Sequence, residues 1–286
     1  YIDALRTRLG DVALVICLDS GAGNYDQLWL TTSLRGLVRL DVEVRTLTHA
    51  VHSGMWGGLV PDALMTMSRL ISSCFDESGR VAIEGLHSGP PADGENPEER
   101  LRAESGANPG IEWIGSGPIV ERLWTQPSLS IIGLDAPKVE GSSNTLVPTA
   151  RARFSLRVAP GDTCANARAR LEEHLRAHVP WGAELSMSLV DDGEATAIDA
   201  TGPAYDAARA AFTEAWEGTA PVDMGVGGSI PFIAEFLDAF PEASVLVTGV
   251  EDPDTRAHGA NEGLHLAEFE RVIVAEALLL EKLSRH

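Results

Sequence analysis

The sequence predicts an α/β domain interrupted by an inserted α+β domain of ferredoxin-like type. Continuous apolar runs at residues 12–18 and in "SVLVTGV" have the composition of strands buried on both faces of a mostly parallel α/β sheet. Between them, Val38, Leu40, Val42 and Val44 alternate with Arg39, Asp41, Glu43 and Arg45. In the same way Ala152, Phe154, Leu156 and Val158 alternate with Arg153, Ser155 and Arg157. Period-2 runs of this kind belong to strands with one face on a core and one in water. From residue 37 to about 194 the order is strand, helix, strands, helix, strand. The inserted domain is therefore 37–198, and residues 1–36 and 199–286 form the α/β domain that it divides.

The opening "YIDALRTRLGD" reads as the end of a helix feeding the strand at 12–18. A start in mid-element gives the expectation that the sequence is part of a longer protein. A second strand falls at 28–34, and the alternating strand leads into "HAVHSGMWGG". Pro61 then opens a helix at its first position, where a missing N–H is not needed, with Leu64, Met67, Leu70 and Ile71 as its apolar stripe. Residues 85–119 are too rich in Gly, Pro and charge for an ordinary connection and read as an elaborated loop or insert, with a short helix near 97–104. "SLSIIGL" and "TARARFSLRV" are strands, 164–178 is a helix on Ala167, Leu171 and Leu175, and Leu185, Met187 and Leu189 mark another strand. The tail carries a helix near 203–217, "MGVGGSIPFIAEF" with a helix start, the strand "SVLVTGV", a polar loop holding His258, and a helix near 266–284. There is no internal repeat.

Composition narrows the function. A formal net charge of -20 argues against nucleic acid or an anionic membrane as partner. No apolar run approaches the length of a membrane span, and no signal-peptide pattern opens the chain. The balance fits a globular protein of bacterial, cytoplasmic type. Cys17, Cys74 and Cys164 are odd in number, far apart and without CxxC spacing, which argues against a disulfide framework or a cysteine zinc site. They read as buried spectator thiols.

Several residues stand where chemistry is placed. Asp19 ends its strand beside glycines, either as a metal ligand at the carboxyl end of an α/β strand or as an Asx turn or cap. His258, after "SVLVTGV", is either a zinc ligand or a solvated loop histidine, with Glu262 as a supporting partner and His265 a helix-start residue. His52 has Gly54, Gly57 and Gly58 close behind it and is held by its loop to reach a substrate, or is a turn histidine without a role. Arg157 points from the polar face of an aliphatic strand, suited to a substrate carboxylate or to a surface ion pair. "GGSIP", residues 227–231, offers backbone N–H groups and a hydroxyl near a helix start.

In order along the chain, "LDSGAGNYDQLWLTTSLRG", "HAVHSGMWGG", "PSLSIIGL", "SNTLVPTARARFSLRVAPG", "GGSIP" and "AHGANE" resemble the M20 family of zinc metallopeptidases, in its dipeptidase and carnosinase-like branch. The resemblance covers nearly the whole chain, least surely at 85–119. It implies a catalytic α/β domain with two zinc ions and an inserted lid domain that makes a homodimer. Asp19 and His258 then match terminal ligands of the two zincs. His52 matches the lid histidine that reaches the partner subunit's site and polarises the scissile carbonyl. Arg157 matches the substrate-carboxylate residue, and Asn144 a lid contact to substrate, with Thr145 the alternative because the following proline is offset by one. Gly228 and Ser229 match a substrate-contacting loop. The implied substrates are dipeptides, N-acyl amino acids or carbamoyl compounds, and the implied reaction is attack by a zinc-bridging water deprotonated by a glutamate.

The family's HxD and catalytic Glu-Glu motifs are absent. No histidine here is followed two residues later by aspartate, and Glu98-Glu99 and Glu172-Glu173 lie in charged helical stretches without the expected glycine-rich turn. The expectation is therefore a C-terminal part of a dipeptidase-like enzyme, inactive alone and without a complete dinuclear zinc site. A non-catalytic remnant kept for dimerisation or ligand binding is the rival expectation.

Overall fold

A computed structural model of the chain describes residues 2–92, 97–228, 230–257 and 259–285. The elements open with helix α1 (Ile2–Leu9) and strands β1 (Leu14–Gly21), β2 (Trp29–Leu34), β3 (Gly36–Arg45) and β4 (Val51–His52). Helices α2 (Ser53–Trp56), α3 (Ala63–Ser73), α4 (Glu98–Ser105) and α5 (Ile119–Trp124) follow, then strands β5 (Ser128–Asp135), β6 (Thr145–Leu146) and β7 (Thr149–Val158). After α6 (Cys164–His178) come β8 (Glu184–Gly193), β9 (Thr196–Ala197), α7 (Pro203–Ala215), β10 (Val222–Val226), α8 (Pro231–Ala239), β11 (Ser244–Glu251) and α9 (Leu266–Leu283). They gather into two compact units: residues 1–34, 92–111 and 196–286, and residues 35–91 and 112–195.

The second unit holds an antiparallel sheet in the order β5-β7-β3-β8. With α3 between β3 and β5 and α6 between β7 and β8, this is the split βαβ arrangement expected of the alternating strands. Val38, Leu40, Val42 and Val44 are fully buried with Met67 and Leu70 of α3, Phe154 and Leu156 of β7, and Leu171 and Leu175 of α6. The period-2 pattern therefore places one face of the sheet on its helices. Asp62 caps α3, its carboxylate accepting from Met65 N at 2.9 Å. Pro61 consequently stands one residue before the cap and not at the first helical position, because an aspartate side chain satisfies an orphan N–H that proline cannot. Thr163 caps α6 in the same way through Asn166 N.

The opposite face of this sheet is charged. Arg39 pairs with Asp191 on β8, and Asp41 takes Arg151 and Arg153 of β7, the last at 2.7 Å. The guanidinium of Arg153, and after it that of Arg151, hold the Asp41 carboxyl down at about 2.

The first unit contains the sheet β1-β11-β2-β10, with β9 beside β2. β1 runs parallel to β11 and β10 parallel to β2, while β11 and β2 are antiparallel. Leu30, Leu34, Phe212, Ile233, Val247 and Leu279 form its core, and the buried Tyr205 hydroxyl donates to Val245 O at 2.6 Å. The apolar strand at 12–18 departs from the both-face burial expected of it. As β1 it stands at the end of the sheet, with Leu14 to Cys17 half-buried and Leu18 exposed. Strand β10 has no counterpart in the sequence reading. Among the described residues no helix is long and apolar enough to cross a membrane. Cys74 and Cys164 are buried and Cys17 half-buried, all three as free thiols.

Candidate functional site

In the second unit, β4 and β6 pair antiparallel, with Val51 opposite Leu146 and His52 opposite Thr145. The next N–H, of Ser53, donates to Asn144 O at 2.9 Å. This short ribbon brings together His52, Asn144 and Thr145, which are far apart in the chain. His52 also caps α2, its Nδ1 accepting from Gly54 N at 3.0 Å. A ring nitrogen that accepts an N–H is the unprotonated one, so the neutral imidazole carries its proton on Nε2. The side chain is exposed, leaving a positioned N–H donor at the surface. Space is tight at Gly54: a Cβ there would lie 3.0 Å from His52 Cε1 and 3.2 Å from Nδ1, so the ring would have to shift.

At one end of the polar sheet face, Arg157 lies opposite Leu37 on β3 and Ser128 on β5. It is half-buried, and burial, reinforced by the like charge of Arg39, lowers its pKa. Arg35, at the mouth of β3, is 8% exposed. Its Nη1 donates to Ser128 Oγ at 3.1 Å, Gln126 O at 3.2 Å and Arg122 O at 3.4 Å, while its Nε is buried with no partner. Burial, and then Arg157, push the Arg35 guanidinium down to about 10. The sheet closes tightly here, since a Cβ on Gly36 would stand 2.6 Å from Ala195 N.

In the first unit, Asp19 is exposed two residues before the end of β1. Gly228 follows β10, which runs parallel to β2 and hence opposite to β11. It therefore lies toward the sheet end where β11 begins, whereas Asp19 lies toward the end where β11 finishes. The strand register does not bring these two together. Ser229 and His258 lie outside the described residues. The loop after β11 is organised by Asp252, a residue the sequence reading passed over. Its buried carboxylate accepts from the Tyr25 hydroxyl at 2.9 Å, Asp254 N at 2.8 Å, Thr255 Oγ1 at 3.1 Å and His265 N at 3.0 Å. These bonds outweigh the cost of burial, so its pKa falls. His265 caps α9 by accepting from Glu268 N at 3.3 Å, as a helix-start histidine should. The aspartate directly after a strand and before proline is the signal that would have marked Asp252.

Asp19 is a donor type that zinc accepts. Among the described residues, however, no three His, Cys, Asp or Glu side chains stand together to hold a metal ion. The described residues thus offer a donor of the kind zinc accepts and not a metal site.

A family model described as a peptidase dimerisation domain, M20_dimer, matches residues 32–183. The cysteinylglycine-S-conjugate dipeptidase of Corynebacterium striatum is 35% identical over 254 residues, covering 88% of this chain and 56% of that protein. The Cys-Gly metallodipeptidase DUG1 of Saccharomyces cerevisiae is 26% identical over 254 residues, covering 84% and 52%. The solved structure of the yeast di-peptidase Dug1p superposes with a TM-score of 0.81 at 25% identity, over 96% of this chain and 60% of that one. Human carnosine dipeptidase 1 superposes at 0.80 and 20% identity, over 100% and 63%. The chain spans about half the length of the curated relatives it matches.

Proposed function

This chain belongs to the M20 peptidase family, and from that premise we propose that it supplies the lid and one zinc-ligating side of a dipeptidase acting on Cys-Gly-type dipeptides. The observation that carries the proposal is the β4–β6 ribbon, in which His52 and Thr145 are paired and Asn144 is bonded to the next residue. In this reading the His52 Nε2–H donates to the scissile carbonyl oxygen as negative charge develops, an oxyanion contact worth roughly a hundred- to a thousandfold in rate. Asn144 holds the substrate beside it, and both act in the site of a partner subunit. The dimerisation-domain match supports that homodimer. Arg157 takes the substrate's free carboxylate. Asp19 and His258 would serve as terminal ligands of a zinc site, where the metal would supply a Lewis acid for amide hydrolysis. Gly228 and Ser229 are proposed as substrate contacts on the resemblance of "GGSIP" alone, since the strand register sets Gly228 toward the other end of the sheet from Asp19. Relatives named as dipeptidases favour dipeptides over N-acyl amino acids.

The sequence contains neither HxD nor a Glu-Glu pair in the expected setting, so these 286 residues alone are proposed not to hydrolyse Cys-Gly with zinc. Joined in frame to the corresponding N-terminal segment of the Corynebacterium striatum relative, they should gain that activity, and His52→Ala should remove most of it. Zinc-dependent turnover by the chain alone would overturn the first statement. A joined protein that folds and binds zinc yet hydrolyses nothing, or hydrolyses equally without His52, would overturn the second.

A further inference from the structure

On the polar face of the sheet β5-β7-β3-β8, Arg39, Arg151 and Arg153 each have a carboxylate partner. Among the described residues neither Arg35 nor Arg157 forms an ion pair, although the chain carries a formal charge of -20. The two are neighbours by construction. Ser128 lies opposite Arg157 in the ladder, and its hydroxyl accepts from Arg35 Nη1. Each also feels the other end of the arginine row, Arg35 through Arg157 and Arg157 through Arg39.

We propose that Arg35 is a specificity-determining residue: a fixed, buried second cation that, with Arg157, makes this end of the sheet a seat for the free carboxylate of a peptide. The inference rests on the reading of Arg157 as the carboxylate-binding residue and adds the residue that makes the seat demand a full negative charge. Two neighbouring cations with no counter-ion raise each other's energy, and burial of one of them deepens the penalty. An arriving carboxylate relieves that repulsion, whereas a neutral amide of the same size does not. Arg35 cannot turn away to water, because Nη1 is tied to two backbone carbonyls and a serine while Nε is enclosed without a partner. Arg35 therefore acts through the field it sets up at Arg157, and the polar contact to the ligand is made by Arg157.

A purely structural Arg35 would only tether the carbonyls of Arg122 and Gln126. The two roles separate in a titration of the full chain with N-acetylglycine and with N-acetylglycinamide, followed by the amide NMR signals of Ser128 and Arg157. The unsubstituted chain should prefer the carboxylate by about tenfold or more. Arg35→Lys, which keeps the charge, should retain that preference, and Arg35→Gln should lower it at least about fivefold. Arg157→Gln should abolish it. If Arg35→Gln keeps the full preference while Arg157→Gln loses it, the role of Arg35 is refuted and that of Arg157 stands. No preference in the unsubstituted chain refutes both. Should Arg35→Gln fail to fold, the folded Arg35→Lys chain decides, retained preference supporting the proposal and lost preference overturning it.

Discussion

In the unit built on β3 and β7, the inward residues of the central strands are fully buried with α3 and α6, and the outward face is matched charge for charge along most of its length. In the unit built on β2 and β11, the central strands are equally well buried, but coverage ends at their margin. β1 is half-buried, and α9 exposes Leu266, Phe269, Ile273 and Leu280 on the side not used by Val272, Ala275 and Leu279. An apolar row exposed beside an apolar row buried marks a helix with two faces to cover. Similar core packing therefore leaves apolar surface in different places: in the unit of β3 and β7 it is scattered over α2, β5 and loops, as at Met55, Leu59, Ile132 and Val139, whereas in the unit of β2 and β11 it runs along one face of α9 and the edge strand β1.

The largest test breaks the stronger unit. Phe154→Ala removes a fully buried ring from β7 and should cost about 3–5 kcal/mol in chemical denaturation. Limited proteolysis should then cut residues 35–91 and 112–195 as readily as residues 196–285. In the unsubstituted chain the first of these should outlast the second, and equal resistance would sink the comparison.

Asp41→Asn strips the carboxylate from between Arg151 and Arg153 and should cost about 1–2 kcal/mol at neutral pH, since the arginines are partly solvated. Its carboxyl titrates at about 2 in the folded chain against an ordinary 3.8. Folding favours the ionised form, so this stabilisation is complete above the ordinary value and is lost as pH falls through about 2. Denaturation between neutrality and acid should show the unsubstituted chain converging on the variant.

Glu276 on α9 supplies the opposite sign. Burial alone raises its pKa above 4.5, and its Oε1 is enclosed without a partner. Folding therefore favours the protonated acid, and stability falls as pH rises from 4.5 through the higher folded value. Glu276→Gln should flatten that fall by a smaller amount than Asp41→Asn changes the other unit. An unchanged slope would remove Glu276 as its source.

The smallest expected change in stability, within about 0.5 kcal/mol, belongs to Gly54→Ala. The new Cβ would stand 3.0 Å from His52 Cε1 and should displace the ring from Gly54 N. Nitrogen-15 NMR of the imidazole should then report a mixed tautomer in place of the Nε2–H form. Identical ring-nitrogen shifts in both proteins would show that the Gly54 bond does not set the proton.

Much of this architecture was legible in the sequence because one-sided burial writes a period. Val38 to Val44 and Ala152 to Val158 announced their strands residue by residue, and the helix at 164–178 matches α6. β10 was missed because "VDMGV" is short, with a charge and a glycine breaking any run. β1 was misjudged for a different reason: an apolar composition states what a strand can bury, not how many neighbours flank it. The site divides along the same line. His52 and Arg157 stood out by residue type and setting, but the β4–β6 pairing joins two strands of two residues each across a long stretch of chain and leaves no local signal. Arg35 likewise looks ordinary in "TTSLRG", and only its burial beside Arg157 without a carboxylate distinguishes it.

The four bonds that converge on Asp252 bear on how this protein tolerates change. The carboxylate grips Asp254 and Thr255 at one end of the loop and His265 at the other, and Gly263 N returns to Thr255 O at 3.0 Å. The loop is thereby closed at its neck, and the entropy of bringing its ends together grows only slowly with the residues between them. Sequence drift, insertion or deletion inside the neck therefore leaves both flanking elements where they are. The structural risk is thus concentrated in one carboxylate, and a change at Asp252 would loosen β11 and α9 together with the loop that carries the proposed ligand His258.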